Sequence, residues 1–454
     1  MIKSLKSYGR VDREFLSKLL TIALPIMIQN LVASSLNMAD TVMIGKLGEV
    51  EIAAVGIANQ YFFFFSMIIF GISSGCSVFI SQYWGKKDLM NIKRILGLGL
   101  VSVLFVSLVF MIIGIIDPGR IISIFNNDSL VKELGGQYLR IVVFSYAFTG
   151  VTIVYTVSLR STGNTIAPLV VNIGALVTNI ILNYVLIFGK LGFPALGVEG
   201  AALATLIARV VETLAMIFLV YRGKGILAAK LSELLDLSVD FFKRSYLIIL
   251  PVLLNDVLWA MASLIYSVVY GRMGVGAMAS VQIANTVSNM FMVVTFGLAS
   301  AASIMIGNSV GRGNEAETMD YARKFMVVSF AAGIVLGIGL AVANPLILSL
   351  FNISEDVRSS TATILYIISV VFIIRFMGMV IIVGILRGAG DARSSLIIES
   401  ATMWLIGVPL TIMGAFLFKL PVHLVYGLAI LEEIAKFLLG LRRLRSRKWI
   451  NNVT

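Results

Sequence analysis

Residues 52–84 read IAAVGIANQYFFFFSMIIFGISSGCSVFISQYW, 33 residues without an Asp, Glu, Lys or Arg. A helix needs about 20 apolar residues to cross a bilayer core, and this run is longer. A barrel strand would alternate apolar and polar positions over about 10 residues, and this run does not alternate. Residues 95–116 are equally free of charge. Across the 454-residue chain, 59% of residues are hydrophobic and 13% charged, where a soluble domain carries roughly 25% charged residues. The fold class is therefore an all-α polytopic membrane protein. Breaks between apolar runs predict twelve helices, at about 15–44, 53–83, 95–116, 134–159, 166–188, 199–221, 245–270, 278–309, 324–343, 357–386, 395–418 and 423–441.

An even number of spans puts both termini on one side of the membrane. The loops predicted on that side, with the two ends, hold 25 Lys and Arg residues, from Lys3, Lys6 and Arg10 to the tail Arg442–Lys448. The opposite side holds seven, among them Lys46, Arg120 and Lys190. The excess of basic residues in cytoplasmic loops places both termini in the cytoplasm, in a plasma-membrane setting. It also accounts for the net charge of +12 without nucleic acid. The basic first residues lack a small-residue cleavage site before the first span, so that span reads as retained. One cysteine, Cys76, excludes an intramolecular disulfide and a Cys-based metal cluster, and one histidine, His423, excludes a His pair.

The chain repeats itself. A shift of 226 residues aligns more than sixty positions without a gap: Leu24-Pro25 on Leu250-Pro251, Gly45 on Gly271, Asn59 on Asn285, Gly85 on Gly311, and Phe125-Asn126 on Phe351-Asn352. The shift spans six helices, so the halves enter the membrane in the same sense. They are parallel repeats about a pseudo-two-fold along the membrane normal. The expected division is an N-terminal lobe 1–222, a linker 223–244 and a C-terminal lobe 245–454 with a basic tail. In the linker, Ile226, Leu227, Leu231, Leu234, Leu235 and Phe241 suggest an amphipathic helix in the interface.

An ionisable group at mid-membrane costs about 2.5–3.5 kcal/mol on insertion scales and is a functional candidate by default. Asp40 is such a group, beside a face of Asn30, Ser34, Asn37 and Thr41. The bland alternative is a solvated position near the outer end of the span. Further polar faces carry Asn172, Asn179 and Asn183; Gln282, Asn285 and Asn289; and Asn255, Asp256, Ser263, Tyr266 and Tyr270. These face a wet cavity or neighbouring helices, not lipid. Asn37, Gln60, Asp256, Gln282, Asn285 and Asn289 are the candidate substrate-cavity residues. Pro25 and Pro251 each remove a helical hydrogen bond at matching places and are the candidate hinges. Arg209 with Glu212, and Glu432 or Glu433 with Lys436, stand at pairing distance on their helices. Gly71–Gly75 fits a G-x-S-x-G pattern, but in an apolar span its small residues serve helix packing. Asn127 and Asn352 head glycosylation-type triplets on predicted outer loops.

The segments Ala23-Leu-Pro25, Ala39-Asp-Thr-Val-Met-Ile-Gly45, Leu196-Gly-Val-Glu-Gly-Ala-Ala-Leu-Ala-Thr205, Leu159-Arg-Ser-Thr-Gly-Asn164 and Leu386-Arg-Gly-Ala-Gly-Asp391 carry a resemblance. In this order the chain resembles the multidrug and toxic compound extrusion (MATE) family over nearly its whole length. The resemblance implies two six-helix lobes around a V-shaped cavity. It implies efflux of cationic or amphipathic small molecules by a protein set in a lipid bilayer, driven by inward proton or sodium flow, with no cofactor, no metal centre and no enzyme activity. A monomer is the default expectation. In DinF-like members a first-helix aspartate binds the coupling proton, and Asp40 holds that place, with Asn179, Asn183 and Thr205 as partners. Some members have an aspartate where this chain has Asn183. The acids that NorM-like members carry fall on Trp259 and Phe376, which favours the DinF-like reading. A lipid-linked oligosaccharide flippase is the alternative. Few basic residues lie inside the spans, mainly Arg209 and Arg375, which disfavours it. A membrane enzyme would need a catalytic cluster at one face, and the chain has no paired acids, His cluster or phosphate loop. A passive channel would show no uphill accumulation.

Overall fold

The structure, a computed structural model, describes residues 11–351 and 353–454. Lys3, Lys6 and Arg10 of the basic count, and Asn352 of the repeat and of the second glycosylation-type triplet, lie outside the described residues. Helices in chain order are α1 (Arg13–Gly45), α2 (Glu49–Lys86), α3 (Leu89–Ile116), α4 (Pro118–Ser123), α5 (Ser129–Val142), α6 (Ser145–Ser161), α7 (Ile166–Phe188), α8 (Gly197–Arg222) and α9 (Leu231–Leu234). There follow α10 (Val239–Arg272), α11 (Val275–Gly311), α12 (Glu315–Ser349), α13 (Glu355–Met379), α14 (Ala392–Thr402), α15 (Val408–Ile412) and α16 (Val422–Arg445). Three π-helical stretches, Val380–Leu386, Met403–Gly407 and Met413–Leu417, continue or join α13 to α15.

Among the described residues ten helices are long and apolar enough to cross a bilayer, and eleven if the bent pair α5–α6 is one span. The sequence reading expects twelve. The difference is α16, an apolar helix that carries three charged side chains, Glu432, Glu433 and Lys436, within its span and a basic end beyond it. The expected single helix at 134–159 is broken: α5 and α6 meet at 52°. No proline or glycine marks the break. The Ser145 hydroxyl donates to the Val142 carbonyl at 2.6 Å, occupying an acceptor that the helix leaves open there.

The chain packs as two compact units. The first comprises Leu24–Ile80 and Asp88–Ile249, the second the described residues of 11–23, Ser81–Lys87 and Leu250–Thr454. The divisions fall inside helices: between Ala23 and Leu24 in α1, next to Pro25, and between Ile249 and Leu250 in α10, next to Pro251.

In the first unit α3 shows how the apolar solvent orients a helix. Val101, Leu104, Phe105, Leu108 and Ile112 are exposed on one face, while Leu98, Ser102, Val103 and Ser107 on the other are buried. The exposed stripe is apolar because it meets acyl chains. α7 and α8 form a tight hairpin, with Gly189 left-handed at the end of α7 (φ 65°) and the Leu196 amide donating to the Leu186 carbonyl at 2.9 Å. Small residues Gly200, Ala201, Ala204 and Ala208 of α8 are buried, which permits this close approach.

The linker differs from the expected amphipathic helix. Within 223–244 only Leu231–Leu234 forms a helix of its own, residues 239–244 with Phe241 already belong to α10, and the segment before α10 straps across the start of α3. Lys93 donates to Glu233 at 2.7 Å and Arg94 pairs with Asp236. A Cβ on Gly97 would stand 1.8 Å from the Leu234 carbonyl oxygen, so glycine is required for the strap to seat.

In the second unit the repeat mates Gly85 and Gly311 pack reciprocally. A Cβ on Gly85 would meet the Asn308 carbonyl oxygen at 2.0 Å, and one on Gly311 the Gln82 carbonyl oxygen at 1.9 Å. The repeat offset relates Gln82 to Asn308 as well, so each member of the contact is matched by its mate. Gly311→Val is therefore expected to force α2 and α11 apart, at about 1–3 kcal/mol or more for an overpacked contact. Thermal unfolding in detergent checks this, against Gly271→Ala as a control in open space. Beyond α16 the chain folds back: Trp449 is fully buried, the Asn451 amide donates to Ala389 O at 2.9 Å, and the Val453 amide to Gln82 Oε1 at 2.9 Å.

Candidate functional site: a carboxylate among amides in the first unit

Asp40 lies near the far end of α1 and is partly buried. Its α1 neighbours are largely satisfied within their own helix. Ser34 donates to the Asn30 carbonyl at 3.0 Å and Thr41 to the Asn37 carbonyl at 2.8 Å. Asn37 is exposed. Asp40 instead is met from another helix: Asn183 Nδ2 donates to Asp40 Oδ1 at 2.6 Å. The same nitrogen donates to Asn179 Oδ1 at 2.8 Å, one turn earlier on α7. Asn179 and Asn183 are 2% and 1% exposed. The i, i+4 spacing of two amides on α7 is what lets one nitrogen serve two acceptors.

Arg209 and Tyr138 lie within electrostatic reach of Asp40. Arg209 Nη1 donates to Glu212 Oε2 at 2.7 Å, one turn on in α8. Thr205 of α8 lies near the Tyr138 hydroxyl. Thr205, expected beside Asp40, thus joins the cluster through Tyr138, which the sequence reading did not single out. Tyr138 sits on α5, close to the unmarked break; its only sequence signal is a phenol inside an apolar run, where a buried hydroxyl needs a partner.

Gln60 of α2 is exposed in the first unit, as are Gln282, Asn285 and Asn289 of α11 in the second. In the second unit Tyr426 donates to Asn285 Oδ1 at 3.3 Å. Asp256, grouped with these from sequence, has a different setting. Arg387 Nη2 donates to Asp256 Oδ1 at 2.8 Å, and their side chains are 5% and 13% exposed. The contact extends through α14 and α16. Arg387 stands 3.7 Å from Glu399, Asn255 Nδ2 donates to Glu399 Oε2 at 2.6 Å, and Lys436 lies 3.4 Å from Glu433 and 3.7 Å from Glu399. Tyr266 donates to Glu432 at 2.6 Å, against Gly407, where no Cβ would fit. Pro25 and Pro251 lie inside α1 and α10. Among the described residues no three His, Cys, Asp or Glu side chains gather as a metal site.

Long apolar helices with exposed apolar stripes define a multi-pass α-helical integral membrane protein, and it holds a carboxylate bonded to an amide of a neighbouring helix. The MatE family model matches it twice, over residues 25–185 and again over 251–413, two starts separated by the same offset that aligns the halves. The chain belongs to the MatE family. It is similar to "Uncharacterized transporter YisQ" of Bacillus subtilis, 26% identical over 447 residues, covering 97% of this chain and 96% of that one. It is 24% identical to "Probable multidrug resistance protein NorM" of Thermotoga maritima, covering 90% of this chain and 87% of that one. A structure described as "Crystal structure of MATE in the straight conformation" shares the fold, with a TM-score of 0.85 at 21% identity, covering 97% of this chain and 98% of that one.

Proposed function

We propose that this protein is a cation-coupled antiporter that exports cationic or amphipathic small molecules across the plasma membrane. Asp40 takes the coupling ion, a DinF-like placement, and both termini face the cytoplasm. The observation that carries the reading is the bond from Asn183 to Asp40, inside an apolar unit where an acid needs a purpose. Family membership and a relative named as a multidrug resistance protein support export as the direction.

An ionised carboxylate only accepts hydrogen bonds, whereas a protonated one also donates. Ion uptake on Asp40 turns a charge-assisted bond from Asn183 into a neutral one, about half as strong. The α1–α7 contact therefore has two states, which ion occupancy selects. Asn37 and Gln60 in the first unit, and Gln282, Asn285 and Asn289 in the second, are exposed polar positions suited to contact substrate in passage. Asp256, held by Arg387, belongs with the structural network more than with that set. Pro25 and Pro251, each beside a point where the chain passes from one unit to the other, are suited as hinges. The oligosaccharide flippase reading is not favoured, since a pyrophosphate-linked substrate calls for free cations and Arg209 and Arg375 are both paired to acids, Glu212 and Glu433.

The test is reconstitution of the full chain in liposomes with ethidium as probe and an imposed proton or sodium gradient. Accumulation of ethidium above its external concentration is the expected result. Flux only down the ethidium gradient, whatever ion gradient is imposed, would overturn antiport.

A further inference from the structure

The two halves treat one matching arginine differently. The repeat sets Arg160 on Arg387, Asn30 on Asp256 and Asn172 on Glu399. In the second unit Arg387 has two acids, Asp256 of α10 at 2.8 Å and Glu399 of α14 at 3.7 Å. In the first unit both of those positions are amides. Arg160 stands near the end of α6 and is partly buried, and among the described residues no acid pairs with it. Its Nε donates to Gln29 Oε1 at 2.9 Å, and its Nη2 donates to the same oxygen. Gln29 is 1% exposed, and its own Nε2 donates to the Thr165 carbonyl at 2.8 Å, which holds the oxygen toward Arg160.

A guanidinium carries five N–H donors in a rigid fork. Two donate to one neutral oxygen, and the others meet no acceptor among the described residues. A charge taken out of water needs a partner of opposite sign, and here the chain does not supply one. Asn30 and Asn172 are half-buried, and among the described residues no hydrogen bond engages either side chain. Each amide can donate to an anion. The second unit shows what this position takes, because the carboxylates of its own Asp256 and Glu399 fill it. Guanidinium and carboxylate match as two forks. One free guanidinium suits one carboxylate, where a pyrophosphate would call for several cations.

We propose that Arg160, Asn30 and Asn172 form a binding site in the first unit for a small molecule bearing a carboxylate, seated where Asp256 and Glu399 sit in the second. The guanidinium supplies the charge, and the two amides supply further donors. The site shares no residue with the Asp40 cluster, and it stands whether or not the protein is an antiporter.

The experiment follows thermal unfolding of the full chain in a maltoside detergent at neutral pH, as sodium acetate replaces sodium chloride at constant ionic strength. Acetate is the free form of the side chain that the first unit lacks. The wild type is expected to melt about 2–4 °C higher in saturating acetate, as a ligand bound only by the folded state requires. Arg160→Gln is expected to lose that rise. Asn30→Asp and Asn172→Glu each restore an acid of the second unit beside the guanidinium. Both are expected to melt higher than the wild type in chloride and to gain nothing from acetate. They remove no cation, so they carry the test if Arg160→Gln fails to fold. A wild-type melting temperature equal in the two salts would overturn the site. So would the full wild-type response to acetate in any folded variant of the three.

Discussion

Asp40→Asn is expected to abolish gradient-driven efflux while leaving the protein folded and in the membrane. The substitution keeps the shape of the side chain and mimics its neutral form, so it should cost little in packing. Asn183 still finds an oxygen acceptor at that position, and Asn179 is untouched. What disappears is the charge that distinguishes two states of the α1–α7 contact. A ligand shifts a two-state equilibrium only by its differential affinity for the states, and an asparagine has no proton to take up. Ethidium tolerance in a drug-sensitive host should fall to the level of cells lacking the protein, a drop of roughly tenfold for ordinary coupling strengths. Protein level, read by blotting of membranes, should stay within about twofold of the wild type. Wild-type tolerance at a normal protein level would remove Asp40 from coupling.

The largest stability effect is expected elsewhere, at Arg387. Its guanidinium meets Asp256 at 2.8 Å and Glu399 at 3.7 Å, with all three side chains at most 13% exposed. Arg387→Ala leaves two acids buried without that partner. Removing one member of a buried ion pair costs about 3–5 kcal/mol, which should appear as a much lower melting temperature in detergent or as loss of folded protein. Arg387→Lys keeps the charge but not the forked geometry, so an intermediate loss is expected. Replacing the pair together, as Arg387→Met with Asp256→Leu, should recover part of the loss, because apolar side chains of similar volume can substitute for a buried pair. An Arg387→Ala melting temperature equal to that of the wild type would show that the network carries no net stability.

Much of this architecture was legible because a membrane makes sequence unusually explicit. Charge-free runs such as 52–84 and 95–116 lie within α2 and α3, and loss of water leaves helices as the only open-chain solution. Local pairs were legible for a related reason. Arg209 with Glu212, and Asn179 with Asn183, lie one turn apart, so helical spacing alone brings them together. The resemblance, not the spacing, pointed from Asp40 to α7.

What stayed hidden was what depends on distant chain segments. Asp256 reads as one more polar residue on a striped helix, since nothing near it announces Arg387, 131 positions away. Tyr138 was missed because the break between α5 and α6 carries no proline or glycine and turns instead on a serine hydroxyl. The linker looked amphipathic, yet Gly97 offers its Leu234 carbonyl a seat that no periodicity in the linker could reveal. The last span, by contrast, was expected at 423–441 and is α16, although the charged side chains that bind it to α13 and α14 make it more polar than the other spans.

The central claim is that Asp40 carries the coupling ion, and proton movement is its most direct measure. Liposomes loaded with a pH-sensitive dye and holding the full chain would be given an ethidium gradient with no imposed pH gradient. The wild type should move protons opposite to ethidium, and Asp40→Asn, at equal reconstituted protein, should move none. Proton movement of wild-type size in the Asp40→Asn protein would contradict the account.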